Sequence, residues 1–451
     1  MTVPPLLAPQ GAYGLATDLY QLTMAAAYFD NEMGAEPATF ELFVRRLPTN
    51  RGYFCVAGLE QAVDYLLQLQ FDETAIRYLR SLPVFQSVSA GFWDYLAALR
   101  FDGDVNAIPE GSVAFPHEPL LQVHGSLLQA QLVETFLLAA LNHQTLIATK
   151  AARVVEAARG RGVVEFGARR AHSFDAALFG TRASYIAGCM GTSNVLAGQL
   201  FDIPVYGTAA HSFTMAFSRE ADAFAAFQRV FPDQAILLID TYDTLEGARR
   251  AAALDAPIRG VRLDSGDLLA LSHAVRAILD DAGRREAIIV ASGDLNEDSI
   301  AALLAAGAPI DLFGVGTEMI VSRDAPALGG VYKLVAIEQD GRRRAVRKLS
   351  QDKATYPDVK QVYRRTDATG RYAGDVLALS TETVAGAAPL LEPVLRGGVR
   401  VAEPPTLAAM RERFAGQRAS LPDGVRRLEQ PDPYPLELSP GLQQVIADFR
   451  V

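Results

Sequence analysis

The chain of 451 residues is poor in cysteine, lysine, histidine and long apolar runs, and each shortage excludes something. Two cysteines, Cys55 and Cys189, lie far apart and make no disulfide framework; they read as reduced thiols of a cytoplasmic protein. Six histidines without a Cys-x-x-Cys or His-Glu-x-x-His spacing give no structural zinc site, and no direct metal ligands are identified. The apolar stretch from Leu132 to Leu141 is broken by Glu134 and closed by Asn142, short of the ~20 residues a membrane span needs. Met1-Thr-Val-Pro-Pro5 lacks a basic region followed by an apolar core, so no secretory signal is read there. A formal net charge of −10 argues against a nucleic-acid partner, which would need many basic contacts to phosphates. Lysine stands only at Lys150, Lys333, Lys348, Lys353 and Lys360, so arginine carries nearly all the positive charge. Base-composition bias accounts for most of this, yet four of the five lysines fall from Lys333 onward.

What is present is ordinary for a globular chain: 50% hydrophobic and 21% charged residues, with length for two or three domains. From about Thr145 to Val321, short apolar runs suited to buried parallel strands alternate with helical patterns. The strands read are Val163–Phe166, Pro204–Tyr206, Ala235–Ile239, Gly260–Leu263, Ala287–Ala291 and Leu312–Val315; the helices are Ala221–Val230, Thr244–Ala253, Asp267–Ala282 and Asn296–Ala306. Six such units in a row predict right-handed crossovers and a parallel sheet. A closed β/α barrel is favoured, with an open doubly wound sheet as the alternative. The flanks differ: Thr39–Leu47, Tyr53–Ala57, 105–125 and 331–380 are rich in strands and turns. A discontinuous, strand-rich α/β domain from residues 1–130 and 335–451 is therefore expected, with the barrel, 131–334, inserted in it. The segment after Leu391, rich in Pro, Arg and Gly, reads as an irregular surface wrap.

In parallel α/β folds reactive groups collect at the carboxyl ends of the strands. Here those ends carry Glu165-Phe166-Gly167 with Arg169, Gly207-Thr-Ala-Ala-His211, Asp240, Arg262 with Asp264 and Asp267, Ser292-Gly293-Asp294, and Gly314-Val-Gly316-Thr317. Singly these read as capping motifs: Asp267 and Asn296 as N-caps, Gly266 as a turn residue. Six on one rim are harder to explain that way. The two glycine-bearing turns offer unobstructed backbone N–H groups to an anion, and Arg262 and Arg169 can pair phosphate bidentately. Asp264, Asp267 and Asp294 beside them suit a ribose diol or Mg²⁺ bridging pyrophosphate, or else an Arg–Asp salt-bridge network. His211 follows a strand, with Asp240 at the end of the next, the arrangement by which a carboxylate orients an imidazole. The other five histidines read as structural.

Together, the segments Thr17-Asp-Leu-Tyr-Gln-Leu-Thr-Met24, Phe40-Glu-Leu-Phe-Val-Arg-Arg-Leu-Pro48, Glu165-Phe-Gly-Ala-Arg-Arg170, Gly191-Thr-Ser-Asn-Val195, Gly207-Thr-Ala-Ala-His-Ser212, Arg262-Leu-Asp-Ser-Gly-Asp267, Phe313-Gly-Val-Gly-Thr317 and Arg347-Lys-Leu-Ser350 form a specific pattern. In this order and spacing the chain resembles the nicotinate phosphoribosyltransferase family up to about residue 365, and nothing is carried over beyond about Gly386. The resemblance implies an irregular β/α barrel of the type II phosphoribosyltransferase kind with a mixed domain from both chain ends. It implies nicotinate and phosphoribosyl pyrophosphate (PRPP) as substrates, Mg²⁺ as cofactor, and ATP as a co-substrate that phosphorylates His211. His211, Asp240 and Asp264 are the expected catalytic group. Tyr20, Phe166, Arg169 and Ser193 are expected at nicotinate, with Tyr20 and Phe166 sandwiching the pyridine ring. Arg262, Asp264, Ser292, Gly293, Asp294, Gly314, Gly316 and Thr317 are expected at PRPP. A homodimer is implied, with Tyr20 reaching into the neighbour's site.

Nicotinamide phosphoribosyltransferase is the nearest alternative and is disfavoured by Ser193, where that family resembles an Asp accepting from the carboxamide. The bland reading of Ser193 is a cap on the helix starting near Asn194. Quinolinate phosphoribosyltransferase is shorter and lacks the His211 motif. A non-catalytic sugar-phosphate-binding barrel would need no phosphorylatable histidine. Lys333 and Lys348 lie where the strand-rich domain returns to the rim, and at least one is expected near the substrate phosphates.

Overall fold

The computed structural model describes residues 12–350 and 353–449; the Met1–Pro5 stretch lies outside them. The chain divides into two compact units, residues 146–326 and residues 1–145 with 327–451. The first division falls within the residue range of the helix Glu134–Ala157.

The 146–326 unit is built on six parallel strands: β1 (Gly162–Glu165), β2 (Gly191–Thr192), β3 (Ile236–Leu238), β4 (Gly260–Leu263), β5 (Ile288–Ala291) and β6 (Leu312–Val315). Their order is β2-β1-β6-β5-β4-β3. Every pairing is parallel, with Glu165 facing Val315 on one side and Thr192 on the other. Val163, Val164, Leu237, Val261, Leu263, Ile289 and Phe313 are all buried, as strands covered on both faces require. Each such side chain contributes roughly 1.5–3 kcal/mol by leaving water. The expected strand Pro204–Tyr206 forms only a single parallel bridge, Thr192 to Val205. Pro204 has no N–H for a ladder, and the true strand at this place is the two-residue β2.

Helices α1 (Phe174–Ile186), α2 (Val195–Phe201), α3 (His211–Met215), α4 (Glu220–Val230), α5 (Thr244–Ala252), α6 (Leu268–Asp281), α7 (Glu297–Ala305) and α8 (Thr317–Ile320) follow the strands. Several starts are set by side-chain caps: Asn194 accepts from Ala197 N–H, Asp243 from Glu246, Asp267 from Ala270, and Asn296 closes a capping box with Ser299. The capping reading of Asp267 is therefore correct. Ser193 is not the cap of α2; Asn194 is.

The other unit carries a seven-stranded antiparallel sheet. Its order is Arg342–Ala345, Gly330–Gln339, Pro37–Val44, Pro119–Ser126, Asp104–Ala107, Glu392–Arg396 and Val399–Arg400. A four-stranded sheet, Ala387–Pro389, Lys360–Thr366, Tyr372–Leu379 and Leu436–Leu438, lies in the same unit. Buried charges are paired: Lys360 Nζ is 2.8 Å from Glu41, and Arg364 is 2.6 Å from Asp375. The segment after Leu391 is not an irregular wrap. Glu392–Arg396 and Leu436–Leu438 join the two sheets, and the helix Leu407–Ser420 buries Met410 and Phe414, spaced i, i+4 on one face. Its polar composition concealed these few apolar anchors. No helix among the described residues is long and apolar enough to cross a membrane.

Candidate active site

The polar groups gather at the carboxyl ends of β1 to β6, on residues that leave buried strands. Arg262, on β4, is the hub. Its Nε donates to Ser292 Oγ (2.8 Å), one terminal nitrogen to Thr208 Oγ1 (2.8 Å) and the other to Asp264 Oδ1 (2.6 Å). Ser292 Oγ also donates to Asp264 Oδ1 at 2.6 Å. Burial pushes the Asp264 carboxyl up, but the Ser292 hydroxyl, the Arg262 guanidinium and His211 outweigh it and hold it below the usual carboxylate range. Asp264 is therefore a carboxylate at neutral pH. Gly293 has φ +91°, and a side chain there would run into the Asp264 carbonyl, so the turn after β5 closes tightly over the turn after β4.

His211 begins α3 and is half-exposed. Its Nδ1 lies 3.1 Å from Thr241 Oγ1, and its Nε2 lies 3.8 Å from Asp264 Oδ2. The expected pairing with Asp240 is not formed. Asp240 Oδ2 instead accepts from Asp264 N–H (3.0 Å) and Ser265 Oγ (2.8 Å), bracing the turn after β4. Successive residues leaving a strand point to opposite sides, so the next residue, Thr241, is the one that meets the imidazole. Thr208 and Thr241 went unread in the sequence; Thr208 sits inside the Gly207–Ser212 motif, but nothing marks Thr241.

Phe166 follows β1. Its N–H donates to Val315 O (2.8 Å), and the Arg262 guanidinium carbon lies 5.8 Å from its ring centre. Gly314, expected in the phosphate cradle, is buried inside β6 beneath this ring. A methyl group there would lie 2.5 Å from the ring, so the missing side chain serves Phe166. Gly316 and Thr317 are half-buried at the rim. Asp294 is exposed with φ 43°. Arg169 is exposed and, among the described residues, has no side-chain partner. Ser193 is half-buried, its N–H donating to Glu165 O at 2.9 Å. A cavity of about 610 Å³ runs between the strands from their amino ends, at Gly162, Ile236, Ile288 and Leu312, and reaches this rim only at Phe166 and Thr208.

Tyr20, Lys333 and Lys348 belong to the other unit. Tyr20 is exposed near the start of the helix Leu19–Asp30, Lys333 Nζ lies 3.8 Å from Glu134, and Lys348 is exposed.

The chemistry of this donor set would fit a divalent cation. Among the described residues Asp240 Oδ1 is buried without a hydrogen-bond partner, and Asp264 Oδ2 lies 3.8 Å from His211 Nε2. Among the described residues no three His, Cys, Asp or Glu side chains gather around a metal position. Such an ion would draw most of its ligands from substrate and water, as Mg²⁺ commonly does.

Comparison with known proteins places this geometry. Models of the nicotinate phosphoribosyltransferase N-terminal domain, family and C-terminal domain match residues 15–142, 162–369 and 383–446. The likeness thus continues well beyond residue 386, where the short motifs gave out. A nicotinate phosphoribosyltransferase of Mycobacterium tuberculosis is 48% identical over 97% of this chain and 94% of its own length. That of Bacillus subtilis is 39% identical, over 94% of this chain and 92% of its own. The structure of human nicotinic acid phosphoribosyltransferase superposes with a TM-score of 0.85 at 31% identity, covering 96% of this chain and all (100%) of that one. A nicotinate-nucleotide pyrophosphorylase from Pyrococcus furiosus superposes with a TM-score of 0.75 at 25% identity, covering 93% and 99%. The fold is the type II phosphoribosyltransferase fold, and the chain belongs to the nicotinate phosphoribosyltransferase family.

Proposed function

We propose that this enzyme joins nicotinate to PRPP, releasing nicotinate mononucleotide and pyrophosphate in the salvage branch of NAD biosynthesis. The observation that carries the reading is the Arg262 hub, a guanidinium braced by Asp264, Ser292 and Thr208 within reach of the Phe166 ring. An aromatic face for a pyridine and a fixed cation for a phosphate stand side by side. Relatives at 33–48% identity, from bacteria to human, carry the nicotinate phosphoribosyltransferase name.

The pyridine nitrogen attacks C1 of the ribose as the bond from C1 to the pyrophosphate oxygen breaks, and its electron pair leaves with pyrophosphate. Phe166, with Tyr20 contributed by a second copy, orients the ring. Arg169, without a side-chain partner among the described residues, supplies a cation to the nicotinate carboxylate, while Ser193 keeps the pocket free of negative charge. Arg262 stabilises the departing pyrophosphate charge. Ser292, Gly293, Asp294, Gly316 and Thr317 line the sugar-phosphate side. Asp240 and Asp264 would hold Mg²⁺, which would supply charge neutralisation to the leaving pyrophosphate.

ATP is the co-substrate. The γ-phosphoryl passes to His211, ADP leaves with the electron pair of the broken P–O bond, and water later removes the phosphate. Thr241 holds Nδ1, which leaves Nε2, 3.8 Å from Asp264 Oδ2, as the nucleophile. A cytoplasmic homodimer completes the reading, supported by Leu19 and Tyr20 standing 51% and 47% exposed side by side.

Labelling with γ-radiolabelled ATP tests the catalytic reading against a sugar-phosphate-binding barrel. Acid-labile label on the wild type and none on His211→Ala is expected. An unlabelled wild type, or equal label on the mutant, contradicts the assignment.

A further inference from the structure

Glu165 is the last residue of β1, fully buried, and no step above uses it. Several other buried carboxylates face a cation: Glu41 has Lys360, Glu297 has Lys150 and Arg153, and Asp375 has Arg364. Glu165 has none among the described residues. Its Oε2 accepts from the hydroxyls of Thr192 (2.7 Å) and Thr181 (2.9 Å), and its Oε1 accepts from Gly167 N–H. Burial pushes its carboxyl up, and these three donors oppose that.

The donors come from three places around the pyridine pocket. Gly167 follows Phe166 directly. Thr192 ends β2 and precedes Ser193. Thr181 lies on α1, behind both. Thr192 Oγ1 accepts from Asn194 N–H (2.9 Å), so its own proton is directed at Glu165. The Glu165 carbonyl meanwhile accepts from Ser193 N–H at 2.9 Å. Ser193 is thereby held through its own N–H and through both chain neighbours. Glycine at 167 lets the turn press close: a methyl there would lie 2.9 Å from Glu165 Oε1 and 2.5 Å from Ile320.

We infer that Glu165 is a positioning residue of the nicotinate pocket, a buried carboxylate whose three donors hold Phe166 and Ser193 at a fixed separation and orientation. The inference rests on the assignment of Phe166 and Ser193 to nicotinate. Only a carboxylate can serve here. A glutamine offers one acceptor oxygen: set on the two hydroxyls, it turns its NH2 onto the Gly167 N–H, and set on that N–H, it turns its NH2 onto the hydroxyls. A displacement of well under an ångström in the ring or the serine would weaken nicotinate binding, while the Arg262 hub on the far strands keeps its own bonds.

The test is steady-state kinetics on Glu165→Gln, Thr181→Val, Thr181→Ser and the Gln/Val double variant, with KM for nicotinate and for PRPP measured separately. Loss of one such bond predicts a nicotinate KM raised about five- to tenfold in Glu165→Gln and in Thr181→Val, with PRPP KM within about twofold. Thr181→Ser, which keeps the hydroxyl, should restore the wild-type value. The double variant should be less impaired than the product of the single effects, because both remove the same interaction. An unchanged nicotinate KM in both single variants overturns the inference. So does an equal rise in both KM values, which marks a merely structural role. If Glu165→Gln fails to fold, the Thr181 pair decides alone: a Val variant indistinguishable from Ser overturns it. Phe166→Ala keeps the two readings apart. If that variant leaves nicotinate KM unchanged, the pocket assignment itself has failed; if it raises KM while the Glu165 and Thr181 variants do not, only the role of Glu165 has.

Discussion

The Phe166 ring rests directly on Gly314, where an added methyl group would lie 2.5 Å from two ring carbons. The backbone of β6 is thus the floor that sets the height of the aromatic face. Gly314→Ala should tilt or lift the ring and raise nicotinate KM by about tenfold, equivalent to roughly 1.4 kcal/mol. Gly316→Ala should act more weakly, since a methyl there meets the Phe166 carbonyl at 3.3 Å. Substrate-resolved kinetics on the two variants checks the order.

Arg262 spends all three arms of its fork on Ser292, Thr208 and Asp264. Arg262→Ala should raise PRPP KM and lower kcat, roughly 10- to 100-fold in kcat/KM, with nicotinate KM little changed. Arg262→Lys should recover little, because a single ammonium cannot reproduce a planar fork. A variant that simply unfolds would return Arg262 and Asp264 to the status of a salt-bridge network, and thermal melting separates the cases.

Five of the six rim segments were legible because each ends a run of apolar strand buried in the sheet, and helix starts were legible from their caps. Strand β2 was not, because two residues carry no periodicity, and Pro204–Tyr206 looked more strand-like than it is. The role of Asp240 was misread for a local reason: a one-residue change of side along the chain exchanges Asp240 for Thr241 at the imidazole, and spacing alone does not resolve it. Gly314 was grouped with the rim turn although it lies one step inside the strand. The tail after Leu391 hid its order because Leu395, Met410 and Phe414 are few apolar anchors among many polar neighbours.

His124, in the strand-rich unit, predicts a pH effect on stability that is independent of catalysis. Arg396 donates to the Asn106 carbonyl oxygen (2.8 Å), which orients the amide so that its nitrogen donates to His124 Nε2 (3.1 Å); Nδ1 lies 3.0 Å from Thr39 Oγ1. Nε2 must therefore stay unprotonated. Burial, with Arg396 and Arg343 nearby, lowers its pKa from 6.5 to about 4 against the opposing pull of Asp104. The folded state then binds fewer protons than the unfolded state between these values, so this contribution to stability falls as the pH drops from 6.5 to about 4. The urea midpoint should decline over that window in the wild type and more shallowly in His124→Gln.

Ser193 stands beside the proposed pyridine site and does not cap α2, which Asn194 does. Ser193→Asp should therefore place a carboxylate against nicotinate without costing the helix its cap. A like-charge contact in a partly desolvated pocket is worth about 1–3 kcal/mol, so kcat/KM for nicotinate should fall at least about tenfold. Nicotinamide use should rise to a detectable level, since the new carboxylate can accept from its amide. An unchanged ratio between the two substrates would end the specificity assignment.

The central claim is tested most directly by product formation with PRPP, ATP and Mg²⁺, offering nicotinate, nicotinamide and quinolinate in turn to the wild-type enzyme. The account predicts nicotinate mononucleotide from nicotinate at a kcat/KM at least about a hundredfold above that for nicotinamide, since only the carboxylate makes a charge pair with Arg169. It predicts no turnover of quinolinate. Preferential use of nicotinamide or quinolinate, or no turnover of any of the three, would contradict it.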